Sequence, residues 1–120
     1  MKYMIMLFGD HQTNLDGKSE AWLKEMGQVM VSMDQDLRKS GELVSGEGLA
    51  DPTRGKTVRI EKGIPVATDG PYAEAKESLV GYWIVDVQDE ARAIDIASRV
   101  VAFTKWPMEV RQVMHTSPES

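Results

Sequence analysis

The sequence predicts an α+β fold with the ferredoxin-like order β-α-β, a β-hairpin, and then β-α-β. Two strongly apolar strands, two helices with apolar stripes and one alternating segment with a central turn indicate this fold. The chain has 120 residues, of which 42% are hydrophobic and 28% charged, a composition typical of one globular domain. We expect this domain to span residues 1–115 and residues 116–120 to form a flexible tail.

The apolar runs at residues 3–8 and 79–87 predict two buried strands. A helix is predicted over residues 18–39, because apolar side chains recur there at helical spacing and Gly41 suits the left-handed closing position. A second helix is predicted from residue 90 to about residue 103, following the capping residue Asp89. The first stripe contains Trp22, Met26, Val29, Met30, Met33 and Leu37, and the second contains Ala93, Ile94, Ala97, Val100 and Val101.

The inserted hairpin is predicted from residues 57–61 and 64–68, which flank the turn Lys62-Gly63. Pro65 cannot donate a ladder hydrogen bond, so we expect the hairpin at a sheet edge. Leu43 and Val44 begin a further strand, and alternation over residues 108–113 predicts the last one.

The two apolar strands are hydrophobic on both faces, whereas the helices of such a fold cover only one face of the sheet. A second copy of the sheet, related by a two-fold axis, is the simplest cover for the other face. The sequence therefore predicts a homodimer.

Composition excludes several classes of function. The net charge of −5 argues against direct nucleic-acid binding, which needs clustered cations. The absence of cysteine excludes disulfides, thiolate zinc sites and a cysteine nucleophile, and favours a reducing, cytoplasmic compartment. The apolar start of the chain is too short to span a membrane. We predict no cofactor and no metal, because Gly46-x-Gly48 is too short for a nucleotide-binding loop and two distant histidines lack ligand spacing.

The nonapeptide DGPYAEAKE at residues 69–77 resembles the signature of the DGPF branch of the YCII-related family. GEGL at residues 46–49 and GYW at residues 81–83 are also similar to that branch, which has Phe in place of Tyr72. The resemblance covers nearly the whole chain. It implies a ferredoxin-like fold and a dimeric α+β barrel.

The resemblance implies little about chemistry. Members of the family are suspected enzymes because many carry a His on the first helix and an Asp, both facing a cleft. The first predicted helix here has no histidine, so that pair is incomplete. Some DGPF domains are fused to sigma factors, which implies a role near transcription.

Two residues are candidates for acid–base catalysis. Asp69 is either a general base, if burial favours its protonated form, or only a turn former in Asp-Gly-Pro. His11 follows the first strand, where it could replace the missing helix histidine or simply be solvated.

Ligand binding is assigned to Glu47, which two glycines leave open to close approach, and to Tyr72, Glu74 and Lys76 of the signature. The alternatives are a strand bulge at Glu47 and an ion pair between Lys76 and a neighbouring glutamate. Trp22, Tyr82 and Trp83 could line an apolar pocket or only fill the core.

The sequence thus predicts a protein that binds a small molecule in a cleft between sheet and helices, with Asp69 as the acid–base group if it is an enzyme. The alternative is a non-catalytic regulatory or ligand-sensing module that acts on transcription through protein contacts.

Overall fold

The computed structural model describes residues 1–9, 15–70 and 78–114. The predicted tail lies outside these residues. The helices are α1 (Glu20–Ser40) and α2 (Glu90–Thr104), and a short 3₁₀ turn spans Pro52–Arg54. The strands are β1 (Lys2–Gly9), β2 (Leu43–Gly48), β3 (Lys56–Glu61), β4 (Ile64–Asp69), β5 (Ser78–Asp86) and β6 (Met108–Gln112).

Four strands form an antiparallel sheet in the order β2-β5-β1-β6. The two central strands are the apolar runs of the sequence, as expected for strands with neighbours on both sides. This arrangement confirms the predicted α+β, ferredoxin-like fold. The inserted hairpin β3–β4 forms a separate two-stranded sheet, so Pro65 lies in that small sheet and not at an edge of the main one.

Both helices begin and end at residues that satisfy their free backbone groups. Ser19 caps α1 by accepting a 3.1 Å hydrogen bond from the Trp22 N–H, and Asp89 caps α2 through the Arg92 N–H. Gly41 ends α1 with a φ of 80°, a left-handed conformation that glycine adopts without steric cost. The cap at Ser19 explains why α1 begins two residues later than predicted.

The core lies between the two helices and one face of the sheet. Met33 and Leu37 of α1 and Ala97 and Val100 of α2 are buried there, as their stripes predicted. The second stripe is shifted, however, because Ile96 is buried and Ile94 is exposed. The sheet contributes Tyr3, Ile5 and Val85, and Val87 joins the core directly after the end of β5.

Trp22 packs outside this core. Its ring stacks on Phe103 at 5.3 Å between centroids and lies 5.5 Å from the Trp106 ring. The ammonium of Lys18 lies 4.8 Å above the Trp22 ring. The three aromatic rings join the start of α1 to the end of α2.

A carboxylate–guanidinium pair links the end of α1 to the start of α2. Arg92 donates two hydrogen bonds of 2.8 Å to the Glu42 carboxylate, which also accepts one from Ser40 Oγ. These bonds favour the ionised carboxylate, so the pKa of Glu42 is lowered and that of Arg92 is raised, mainly by their mutual hydrogen bond.

The far face is the sheet surface opposite the helices, and by strand alternation it carries Met4, Met6, Tyr82 and Ile84. The arm is the hairpin of residues 56–69, closed by Lys62 and Gly63, both with positive φ. In the described parts of the chain, no helix is long and apolar enough to cross a membrane.

Candidate functional site

An open pocket of about 550 Å³ lies between α1 and the helix-facing side of the sheet. It sits at the end of the sheet where β2 pairs with β5. The pocket is lined by Leu7, Met30, Val31, Asp34, Gln35, Gly46, Glu47, Gly48, Val80, Gly81, Tyr82, Trp83 and Met108.

Glycines form the floor of the pocket. Gly48 lies directly opposite Gly81, and the neighbouring pair is Gly46 opposite Trp83. Because Trp83 packs against the core, alternation places positions 46, 48 and 81 on the helix-facing side. A Cβ at position 48 would meet nothing within 4 Å. One at position 81 would meet only main-chain atoms of Glu47 and Gly48, at 3.5 and 3.8 Å. The pocket exists because these positions lack side chains.

Trp83 forms the wall above Gly46. A Cβ at Gly46 would come within 2.4 Å of Trp83 Cδ1, closer than any real contact between such atoms. The glycine therefore lets the indole lie directly over the backbone of β2. Any larger residue at position 46 would push the ring out of its present position.

Two irregularities in strand pairing bracket this floor. The β1–β5 register shifts between Leu7 and Phe8, and the β2–β5 register shifts between Leu43 and Ser45. Such bulges re-aim side chains at the ends of a sheet. Between them the floor residues pair regularly, so their facing directions are fixed.

The opposite wall is a stretch of α1. Met30 and Val31 are apolar, whereas Asp34 and Gln35 are polar. The Asp34 carboxylate accepts a 2.9 Å hydrogen bond from Arg38 one helical turn further on. The pocket is thus apolar along its floor and sides, with a carboxylate and an amide on the helix.

Glu47 lies in the pocket wall, where a ligand-binding role would need it. Its register partner is Tyr82, and alternation directs both side chains to the far face. The main chain of Glu47 therefore faces the pocket, and its carboxylate lies on the other side of the edge strand β2.

Asp69 lies at the base of the arm and does not line the pocket. Its carboxylate pairs with the Lys56 ammonium, and its side chain is 90% exposed. The general-base hypothesis depended on burial, which Asp69 does not have. The structure therefore does not bring Asp69 and Glu47 together in one pocket.

The other predicted site residues are His11, Tyr72, Glu74 and Lys76, and they lie outside the described residues. Within the described ranges, no group of three or more His, Asp or Glu side chains could hold a metal ion.

The sequence analysis did not identify Asp34 and Gln35. These residues lie on α1 beside its buried stripe, on the side of the helix that lines the pocket. The available signal was the glycine pattern, because Gly46, Gly48 and Gly81 occur in strands where glycine is disfavoured. Glycine inside a strand often marks a place where another group approaches the backbone.

Comparisons with known proteins agree with this fold. The family model of the YCII-related domain matches residues 1–117. An uncharacterized protein of Rhizobium meliloti (strain 1021) is 31% identical over 101 residues, which cover 81% of this chain and 77% of the relative. The chain therefore belongs to the YCII-related domain family.

Proposed function

We propose that this protein binds a compact, mainly apolar small molecule in the glycine-floored pocket between α1 and the sheet. The observation that carries the proposal is the bare backbone of Gly48 and Gly81, over which a ligand ring could lie in contact with the main chain. Ligand sites are typically apolar concavities with a few polar groups that fix orientation.

The lining indicates the chemistry of the ligand. The Trp83 ring, together with Leu7, Met30 and Met108, offers an apolar and polarisable surface suited to an aromatic ring. Asp34 supplies a carboxylate at one wall. A ligand that combines a ring with a hydrogen-bond donor or a cation matches this arrangement better than an anionic one.

The geometry favours binding without turnover. The carboxylates of the described residues that line the pocket are Asp34, already paired with Arg38, and Glu47, whose side chain is directed to the far face. The first helix has no histidine to act as a proton carrier. A ligand-sensing module is therefore the form of the proposal that we favour over an acid–base enzyme using Asp69.

A thermal-shift screen of aromatic amines and aromatic carboxylates tests the proposal. Binding stabilises the folded state by RT ln(1 + [L]/Kd), or about 2.7 kcal/mol at one hundred times Kd. We expect amines to stabilise the wild-type protein and carboxylates to do so less.

The matched variants are Gly81→Val, which fills the floor, and Ser45→Val, which places the same side chain on the far face of β2. Stabilisation by an amine should be lost in Gly81→Val and kept in Ser45→Val. If Gly81→Val folds poorly, Gly81→Ala serves in its place. Equal stabilisation of all variants would place binding elsewhere and refute the proposal.

A further inference from the structure

The strand β2, which carries part of the glycine floor, lies at an edge of the main sheet. In the described residues its one neighbour is β5, so its other side is unpaired. Proteins usually protect such an edge with lysine, proline, a bulge or a covering segment, because a free edge can pair with another chain. β2 reads LVSGEG, without lysine or proline, and its bulge lies before Ser45. The regular stretch over residues 45–48 therefore presents an unprotected edge.

The hydrogen-bond pattern determines which main-chain groups of β2 are free. In an antiparallel pair, residues that bond to the partner strand alternate with residues whose N–H and C=O point away. The Leu49 N–H donates a 2.9 Å hydrogen bond to the Val80 carbonyl, so Leu49 belongs to the first class. Alternation along the regular pairing puts Glu47 in the same class and Gly46 and Gly48 in the other. The N–H and C=O groups of Gly46 and Gly48 therefore point outward from the sheet edge.

The two glycines with outward main-chain groups are also the two that form the floor in β2. A strand laid antiparallel along this edge would bond to both of them. Its residues opposite Gly46 and Gly48 would direct their side chains to the helix-facing side, with opposed Cβ positions about 5 Å apart. Because Gly48 and Gly81 have no side chains, a phenyl ring on the added strand has room to lie over them. Edge hydrogen bonds combined with a pocket for alternate side chains are typical of strand addition.

The residue between these two positions of an added strand would lie beside Glu47. By alternation its side chain shares the far face with the Glu47 carboxylate, which makes a cation the favoured neighbour. Asp34 supplies a further carboxylate in the pocket wall, and the whole chain has a net charge of −5. The edge is therefore electrostatically complementary to a basic segment and disfavours an acidic one.

The surface available to a ligand extends beyond the pocket. A second concavity of about 430 Å³ lies along α1 and shares Val31 and Gln35 with the pocket. Its other lining residues are Lys24, Gly27, Gln28 and Ser32, which are polar apart from the glycine. The two adjoining concavities suit a ligand that has polar groups on either side of an apolar ring.

We infer that the ligand of this site is a short extended peptide that adds to β2 as an antiparallel fifth strand, with an aromatic side chain in the pocket and a cationic residue next to it. The inference rests on the proposed function and names the chemical class of its ligand. The aromatic side chain is the compact apolar group that the pocket accepts. The peptide main chain supplies donors and acceptors for Gly46 and Gly48.

The probe is acetyl-Phe-Lys-Phe amide, and N-methylation supplies a matched pair of control peptides. In the antiparallel arrangement the phenylalanine N–H groups donate to β2, whereas the lysine N–H points away. A methyl group on the nitrogen of the second phenylalanine should weaken binding about fivefold, as expected for the loss of one hydrogen bond. The same group on the lysine nitrogen should leave the affinity within about twofold, because no bond is lost. Calorimetric titration measures both, and any other ranking of the two methylated peptides would overturn the inference.

A second pair of peptides tests the cationic position. The wild type should bind acetyl-Phe-Lys-Phe amide at least about threefold more tightly than acetyl-Phe-Glu-Phe amide, because the central residue lies beside Glu47. The variant Glu47→Lys should reverse this preference, and since Glu47 is exposed the substitution leaves the core intact. A preference that Glu47→Lys does not change would contradict the predicted position of the peptide.

Amide hydrogen exchange locates the peptide on the protein. A saturating concentration of acetyl-Phe-Lys-Phe amide should slow exchange of the Gly46 and Gly48 amides. The Glu47 amide already bonds to β5 and serves as the internal control. Benzylamine, which offers a ring without a peptide main chain, should leave the Gly46 and Gly48 amides unchanged. Unchanged exchange of both amides in the saturated peptide complex would overturn the inference.

The inference and the proposed function can fail separately. If benzylamine binds and the peptide binds no more tightly, the pocket is a small-molecule site and only the inference fails. If neither binds, the proposed function fails as well. Peptide affinity that falls as the protein concentration rises would show that a second copy of the chain occupies the β2 edge, which also overturns the inference.

Discussion

The helix-facing side of the sheet has a packed end and an open end, and α1 passes over both. At the packed end Leu37 is 1% exposed and lies in one cluster with Ile5 and Val85. At the open end Val31, less than two turns earlier on α1, is 57% exposed beside the glycine floor. The difference lies in the strands, because the packed end has branched side chains where the open end has glycines.

The packed end therefore determines most of the stability of the fold, whereas the open end forms the candidate binding site. Side chains at the packed end bury apolar area and so contribute most of the folding free energy. Gly48 and Gly81 contribute little burial, so we expect that they can be altered without unfolding the protein, whereas a side chain at Gly46 would overlap Trp83. Substitutions at the two ends should therefore have effects of different size and kind.

The largest effect is expected for Leu37→Ala at the packed end. Removing a fully buried leucine side chain should lower the free energy of unfolding by about 2–5 kcal/mol. Val31→Ala at the open end of the same helix should change it by less than about 0.5 kcal/mol, as exposed positions usually do. Urea unfolding gives the free energy of unfolding of both variants. Similar decreases at the two positions would contradict the difference between the packed end and the open end.

Gly46→Ala should come next, because its methyl group overlaps the Trp83 ring. Overpacking of this kind typically costs about 1–3 kcal/mol. Gly48→Ala is the control, since a methyl group there meets open space. Thermal melting measures both variants. If Gly48→Ala lowers the melting temperature as much as Gly46→Ala does, the floor is more tightly packed than the structure indicates.

The packed end also predicts a pH dependence. The lowered pKa of Glu42 means that its pairing with Arg92 stabilises the fold above the usual glutamate pKa of about 4.3 and is lost as pH falls through the lowered value. Glu42→Gln should therefore cost about 1 kcal/mol at neutral pH, as expected for a charge-assisted hydrogen bond at the surface. That difference should shrink toward zero in acid, and a cost that stays constant between pH 7 and pH 3 would contradict this account.

Smallest of all should be the effect of Glu47→Gln on pocket binding. The carboxylate is directed to the far face, so a pocket ligand should lose less than threefold in affinity, by calorimetric titration. A larger loss would show that the side chain reaches around the edge strand, as the sequence alone suggested.

The sequence was sufficient for the elements and most of the core. Local sequence patterns were enough to predict these features, which include the apolar runs of β1 and β5, the Asp89 cap and the Lys62-Gly63 turn. The burial of Ile96 and not Ile94 depends on how α2 is rotated against the sheet, which the stripe alone does not specify. A cleft between sheet and helices was predicted, but its glycine floor was not, because the floor depends on register: Gly48 meets Gly81 only when strands 33 residues apart pair.

The exposure of Asp69 was beyond sequence reasoning for a similar reason. Asp-Gly-Pro indicates a turn, but not whether that turn faces a cleft or solvent. The arm shows the same limit, since its alternating sequence predicts a hairpin but does not specify the direction in which either side of it points.

The most direct test of the glycine-floored pocket is a proton–nitrogen correlation spectrum of the three tryptophan indoles during titration with benzylamine, an aromatic ring with a cation. Trp83 lines the pocket, whereas Trp22 and Trp106 lie in the aromatic cluster and serve as internal controls. We expect the Trp83 indole N–H resonance to shift at millimolar benzylamine, the other two to stay in place, and the shift to disappear in Gly81→Val. An unmoved Trp83 resonance, or a shift that persists in Gly81→Val, would contradict the account.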